Sequence, residues 1–506
     1  MAADGLSGLS ALETAGRIDS GEVSRDECLD FWLARVADED LGGYLWKADR
    51  ETAVAGVDTT AQSPAAGVPV AVKDIFCTTG VPTTAASKIL EGYIPPYTAN
   101  SVSRLFDAGL PMLGKTNMDE FAMGSSNENS AYGVVQNPHD RSRVPGGSSG
   151  GSAAVVAAGM APWALGTDTG GSIRQPAALC GVVGLKPTYG AISRYGMIAF
   201  ASSLDQCGPI TQTVADSALL LSLLQGRDDC DSTSVGIDGG LKVPTAGDLT
   251  GLTFGVPTDL IGEGVDPGVK AVFDETLKKI ESLGGSISEI TLPHARHGIS
   301  SYYILAPAEA STNLSRFDGV RYGLRASDAD LDSMYEVTRG DGFGPEVKRR
   351  IMLGTYALSS GYYEAYYGRA QRVRTMIVQD FNEAFGQVDF IVTPTAPTVA
   401  FGLGEKTSDP WSMYLNDLFT VPMSLAGVPA ISIPAGMAAP AEGGNEMPVG
   451  FQIAAPAFAE QKLVEAFRHG RGRRVAQRGL GAERHRHLEA LPHPLGDPEV
   501  LRAALV

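Results

Sequence analysis

Histidine is scarce in this sequence and poorly placed for catalysis. There are seven in 506 residues, and four of them (His469, His485, His487 and His493) fall beyond residue 468. A hydrolase of the Ser-His-acid type needs a histidine downstream of its nucleophile, presented at a strand end. Gly146-Gly-Ser148-Ser-Gly150 has the spelling of such a nucleophile elbow. Neither His294, His297 nor any later histidine lies in a strand-end loop, so that reading fails. Cysteine is equally thin. Cys28, Cys77, Cys180, Cys207 and Cys230 are scattered, without metal spacing or an obvious pairing, which suits buried thiols in a reducing cytoplasm. Positive charge is in deficit: 40 Lys and Arg face 58 Asp and Glu, a formal net charge of −18. Such a balance argues against nucleic-acid binding by this chain itself. Long apolar runs are missing as well. The stretch near Ala153–Leu165 is too short and too glycine-broken to cross a membrane. The first residues lack the basic, apolar, small-residue order of a signal peptide.

What the chain has in quantity is glycine, 61 residues, and its densest use is informative. Between Gly146 and Gly184 lie two serine-bearing glycine loops, Gly146–Gly151 and Thr169–Ser172, joined by an apolar segment. Upstream, Gly67-Val-Pro-Val-Ala-Val-Lys73 is an apolar run ending in a lysine. A lysine and two serines on glycine turns are the parts of a serine amide hydrolase that works without histidine. The serine hydroxyl is a weak nucleophile, so a base must take its proton. Lysine serves only when neutral, and burial at a strand end favours that form. Asp74 would oppose the shift, but strand alternation turns it to the opposite face. Ser148 is placed to relay the proton from Ser172 to Lys73. The backbone N–H groups of Thr169, Gly170 and Gly171 are candidates for an oxyanion hole.

The rest of the pattern is α/β. Leu6–Arg35 reads as two amphipathic helices, with Ser24 and Glu27 spaced for an N-terminal cap. Val68–Val72, Met112–Leu113, Ala191–Ile192, Leu249–Val256, Ser286–Leu292, Phe390–Pro394 and Ala430–Pro434 read as strands. Ala153–Ala158 reads as a buried helix and Pro267–Leu283 as a charged one. Asp228–Asp248, polar and rich in Gly, Asp and Thr, reads as a surface connection. Alternation of this kind predicts a large mixed sheet covered by helices on both faces. Gly109–Thr116 is spelled like a phosphate-binding loop, but a helix precedes it and a strand begins inside it, the reverse of the required order.

The motifs VAVKDIF, RVPGGSSGGSAA, LGTDTGGSIRQPAALCGVVGLKPTYG and SRYGMIAFASSLDQCGP closely resemble the core of the amidase-signature hydrolases. Further segments, NMDEFAMGSSNENSAYG, AEASTNLSRFDGVRYG (308–323), EVKRRIMLGTYALSSGYYEAYY (346–367) and MYLNDLFTVPMSLAGVPAISIP (413–434), resemble the branch that supplies ammonia to tRNA-dependent amidotransferases. The likeness covers roughly residues 5–467. It implies the amidase-signature fold, Ser172 as acyl-forming nucleophile, Ser148 as a bridging serine after a cis peptide bond, and Lys73 as base. It implies Arg350 for the α-carboxylate of glutamine, Asp417 for the α-ammonium, and Tyr302 as a further substrate contact. No cofactor or metal is expected in this chain. The implied assembly is a heterotrimer completed by B and C subunits. ATP and Mg²⁺ would be used by the partner, through which the misacylated Glu-tRNA(Gln) is mainly contacted. A freestanding amidase acting on small neutral amides is the alternative, against which Arg350 and Asp417 argue. The expected division is an N-terminal helical segment (1–60) packed on the core, a catalytic domain (61–467) and a tail (468–506). The likeness fades after Phe467, and the tail carries eight arginines against four acidic residues.

Overall fold

The computed structural model describes residues 3–244, 249–262, 264–327 and 330–468. The basic tail therefore lies almost wholly outside the described residues. Among them, eleven strands form one sheet: β1 (Tyr44–Lys47), β2 (Val70–Lys73), β3 (Met112–Thr116), β4 (Trp163–Asp168), β5 (Val183–Lys186), β6 (Gln206–Thr211), β7 (Thr253–Pro257), β8 (Ser286–Ile290), β9 (Phe390–Pro394), β10 (Ala430–Ala438) and β11 (Met447–Ala454). Their order is β1-β3-β2-β4-β6-β5-β10-β11-β9-β7-β8. β2 runs parallel to β3 and β4, and β7 runs parallel to β8 and β9. The middle of the sheet, from β4 through β6, β5, β10 and β11, is antiparallel.

Strand alternation sorts the core into layers. Val70, Val72, Met112, Trp163 and Leu165 join one apolar cluster, with Val102 and Leu105 of the Asn100–Asp107 helix and Ala218 of the Val214–Leu224 helix. Ala71, Leu113, Ala164 and Ile210 join another, with Val155 and Val156 of the Gly150–Ala157 helix and Ala177 of the Arg174–Cys180 helix. Helices thus cover both faces, as the alternating pattern predicted. Cys28 and Trp32 of the Arg25–Ala37 helix enter the second cluster. Ser24 and Glu27 form the capping box at that helix's start. The first sixty residues are not helical throughout, since Tyr44–Lys47 pairs with β3 at the sheet edge.

One expected strand is absent. Ala191 and Ile192 are buried, but they lie in a bend that follows Gly190, whose φ is +89°. Two apolar residues beside a left-handed glycine make a turn that points inward, not a ladder. The β2–β3 register slips once, with Val70 opposite Met112 and Ala71 opposite Gly114. Such a bulge re-aims every side chain beyond it. Lys115 consequently sits with Asp74, 3.2 Å away, while Thr116 turns toward Ser152 at 2.6 Å. No described helix is long and apolar enough to cross a membrane. All five cysteines are free, and only Cys230 is exposed.

Candidate active site

Lys73 closes β2, and its side chain points toward the layer that holds both serine loops. It is wholly buried, with Nζ 2.8 Å from each of three hydroxyls: Ser148, Ser149 and Thr167. Ser149 donates its own proton to the Thr167 carbonyl (3.2 Å), so Lys73 must donate to Ser149. No carboxylate of the described residues lies within salt-bridge distance of Nζ. Burial therefore dominates and pushes the amine down from 10.5 to about 7, against the more distant charges of Asp119, Asp168 and Asp205. Lys115, one strand away and also buried, is the control. It meets Asp74 directly and bonds the Phe76 carbonyl (2.8 Å) and Thr83 (2.7 Å). A lysine fixed in this way inside a strand holds no phosphate, which disposes of the Gly109–Thr116 loop.

The serine loops are tied to each other by the Ser149 N–H, which donates to the Ser172 carbonyl at 3.1 Å. The Gly147–Ser148 peptide is cis. Gly147 donates to Gln175 Oε1 (2.9 Å), and Gln175 Nε2 donates to the Ser125 carbonyl (2.9 Å). Gly147 must be glycine, since a Cβ there would lie 2.1 Å from an Asp119 oxygen. Asp168, the last residue of β4, folds the second loop tight. Its carboxylate accepts the Ile173 N–H (3.2 Å) and two guanidinium bonds from Arg174 (2.9 and 2.8 Å). Burial would raise that carboxyl, but the Arg174 charge and hydrogen bonds outweigh it and hold it below the ordinary value. Ser172 stands at the head of this turn, 7% exposed, and its hydroxyl bonds no described residue. The N–H groups of Thr169, Gly170, Gly171 and Ser172 also donate to no described acceptor. Four consecutive N–H groups of buried residues with no acceptor among the described residues are unusual in folded proteins, and they suit an oxyanion.

Arg350 lies on the Pro345–Leu358 helix, 3% exposed. Its Nε bonds Glu346 (2.8 Å), and its guanidinium carbon stands 5.1 to 5.7 Å from the ring centres of Tyr303, Phe200 and Tyr414. Its two terminal nitrogens bond no described residue. Arg350 also lines a cavity of about 230 Å³ with Ser126, Glu346, Lys406, Met413 and Tyr414, through which it is reached. Asp417 is buried and accepts one bond, from Ser125 (2.6 Å). Burial raises its carboxyl to about 7, while the Ser125 bond and the charges of Arg350 and Arg174 pull the other way. Tyr302, on the Gly298–Asn313 helix, lays its ring on Gly170: a Cβ on that glycine would meet the ring at 2.8 Å. The geometry thus places Tyr302 against the Thr169–Ser172 loop.

Sequence reasoning missed several residues that build the site. Ser149 and Thr167 complete the lysine's hydroxyl cage. Asp168 and Arg174 brace the Ser172 turn, and Ser125 and Gln175 link Asp417 to Gly147. Arg174 is a clue in retrospect, because arginine is rarely wholly buried without a partner.

The chain matches the model of the family described as Amidase over residues 43–464. The A subunit of the Chloroflexus aggregans glutamyl-tRNA(Gln) amidotransferase is 50% identical over 473 residues, covering 90% of this chain and 94% of that protein. The protein of the same name from Acidothermus cellulolyticus is 53% identical over 468 residues, covering 90% and 92%. Among solved structures, the A subunit of the Thermotoga maritima glutamyl-tRNA(Gln) amidotransferase superposes with a TM-score of 0.75 at 43% identity, covering 90% of this chain and 93% of that one.

Proposed function

The chain belongs to the amidase family, and within it we propose that it is the glutamine-hydrolysing A subunit of a glutamyl-tRNA(Gln) amidotransferase. The observation that carries the reading is the pair Arg350 and Asp417. Each is buried and has side-chain bonding capacity left open; Asp417 is joined through Ser125 and Gln175 to Gly147, beside Ser148, and the Arg350 charge acts on Asp417. A general amidase acting on neutral amides has no use for a buried cation and anion there. Free glutamine carries the matching carboxylate and ammonium. An arginine with two open nitrogens suits the first, and a carboxylate with one open oxygen suits the second. The names of the relatives point the same way.

In this mechanism neutral Lys73 takes the Ser148 proton while Ser148 takes the Ser172 proton. The Ser172 oxygen bonds the side-chain amide carbon of glutamine. The carbonyl oxygen becomes an oxyanion facing the N–H groups of Thr169, Gly170, Gly171 and Ser172. The proton returns through Ser148 to the amide nitrogen, the C–N bond breaks and ammonia leaves. A water molecule then attacks the Ser172 ester by the same proton path and releases glutamate. The ammonia passes to a partner, which activates the misacylated Glu-tRNA(Gln) with ATP and Mg²⁺ and amidates it. The B and C subunits are the proposed partners. With a net charge of −18, this chain leaves the tRNA to them. The cytoplasm, where translation runs, is the proposed compartment.

The test is purification of the chain with its partners from the native cell, then amidation of Glu-tRNA(Gln) with either glutamine or ammonium as nitrogen source. Glutamine-dependent amidation is the expected result. A chain that purifies alone and hydrolyses butanamide faster than glutamine would be a freestanding amidase.

A further inference from the structure

The oxyanion loop is held from outside by a residue about 250 positions away. Thr420 opens the Thr420–Ala426 helix and is wholly buried. Its hydroxyl stands 2.6 Å from the Gly170 carbonyl oxygen and 3.2 Å from the Asp417 carbonyl oxygen. It has one proton, and the nearer carbonyl takes it. In a trans peptide the C=O and the following N–H point in opposite directions. Turning the Gly170 carbonyl toward Thr420 therefore turns the Gly171 N–H away from that helix, toward the substrate side. The contact is close on both sides. Gly171 has φ +143°, and a Cβ on it would lie 2.2 Å from the Thr420 hydroxyl oxygen. Tyr302 closes against Gly170 from its own helix. The Thr420 carbonyl accepts a bond from Arg174 (3.0 Å), which ties the same residue to the Asp168 turn.

We infer that Thr420 is a positioning residue: its hydroxyl fixes the Gly170–Gly171 peptide so that the Gly171 N–H meets the oxyanion, and its turn joins that peptide to Asp417. The inference rests on the proposed glutaminase reading for its substrate, though not for its geometry. Asp417 lies three residues before Thr420, with its backbone carbonyl oxygen 3.2 Å from the Thr420 hydroxyl. One rigid turn therefore carries both the group that takes the α-ammonium and the clamp on the oxyanion donor.

The experiment measures kcat and KM of Thr420→Val, Thr420→Cys and Thr420→Ser, with glutamine and with butanamide, in the complex as purified. Valine keeps the shape and removes the hydroxyl. The expected result is a kcat loss of about 10- to 100-fold for Thr420→Val on both amides, somewhat below the loss from removing an oxyanion donor outright. KM should move less than about threefold, because a transition-state contact is weakened. Thr420→Ser should restore kcat to within about threefold of the native enzyme. Thr420→Cys, a weaker donor, should fall between. If Thr420→Val does not fold, the comparison of serine with cysteine decides. Native-like kcat in Thr420→Val, or in Thr420→Cys where valine cannot be read, overturns the inference. So does a defect confined to KM. A native enzyme active on butanamide and inert toward glutamine would sink the glutaminase reading alone, leaving Thr420 to be judged on butanamide.

Discussion

Burial holds two groups of the candidate site near neutrality, and the proposed mechanism uses them in different steps. Lys73 stands at about 7 because burial disfavours its charge, and it must be neutral to act as base. Asp417 stands at about 7 because burial disfavours its charge too, and it must be ionised to take the α-ammonium. Both are in their working form above about pH 7 and lose it below. For kcat/KM, which reports the free enzyme, glutamine hydrolysis should fall on the acid side with a log–log slope approaching two. An amide without α-groups, such as butanamide, needs only Lys73, so its slope should be one. At pH 5 each group is about 1% in its working form, so the losses are about 10⁴-fold for glutamine and about 10²-fold for butanamide. Asp119 and Asp205, both raised by burial to about 6, affect the two substrates alike. The difference between the slopes therefore isolates Asp417. The assay is the initial rate of ammonia release from pH 5 to 9 at substrate concentrations well below KM. Asp417→Asn should bring the glutamine slope to one. Equal slopes for both substrates in the native enzyme would refute the assignment of Asp417. A flat profile across pH 7 for both would refute that of Lys73.

Other outcomes follow from the same geometry. Ser172→Ala should abolish glutamine hydrolysis but leave ammonium-driven amidation in the complex intact; retained glutaminase activity near the native rate would count against Ser172 as nucleophile. Arg350→Ala should lower kcat/KM for glutamine by roughly 30- to 1,000-fold, about 2–4 kcal/mol for a lost charge-assisted contact, with butanamide little changed. Equal losses on both amides would put Arg350 in the scaffold. Lys73→Met should abolish activity yet raise stability at pH 7. The native lysine is charged when unfolded below 10.5 and neutral when folded above about 7, so native stability rises by about 1.4 kcal/mol per pH unit across that window. Denaturation midpoints from pH 7 to 10 should show the methionine variant's advantage shrinking, and a constant gap would contradict the buried neutral amine.

Much of this was legible in the sequence because it is local. The strand that ends at Lys73 and the Ser24–Glu27 cap announce themselves over a few residues. The alternation that separates Asp74 from Lys73 needs only period two. The central strands β4, β5 and β6 were harder, because strands buried on both faces carry no polar alternation and read like helix interiors. Trp163–Asp168 therefore gives no strand signal of its own, although it carries the Asp168 that braces the Ser172 turn. The hydroxyl cage around Lys73 and the Thr420 clamp rest on contacts across 75 to 250 residues. No spacing in the chain signals those.

The proposed base, Lys73, and the structural Lys115 differ in one respect. Both sit toward the ends of short parallel strands, both are wholly buried, and burial pushes both amines down. The difference is one register step. The slip between β2 and β3 turns Lys115 toward Asp74, where a carboxylate 3.2 Å away stabilises its charge. Lys73 faces the other layer and finds only neutral hydroxyls. Without that slip, strand alternation would bring the second ammonium to Lys73's own face and leave Asp74 without its ion pair. The bulge therefore keeps a second ammonium away from the proposed base.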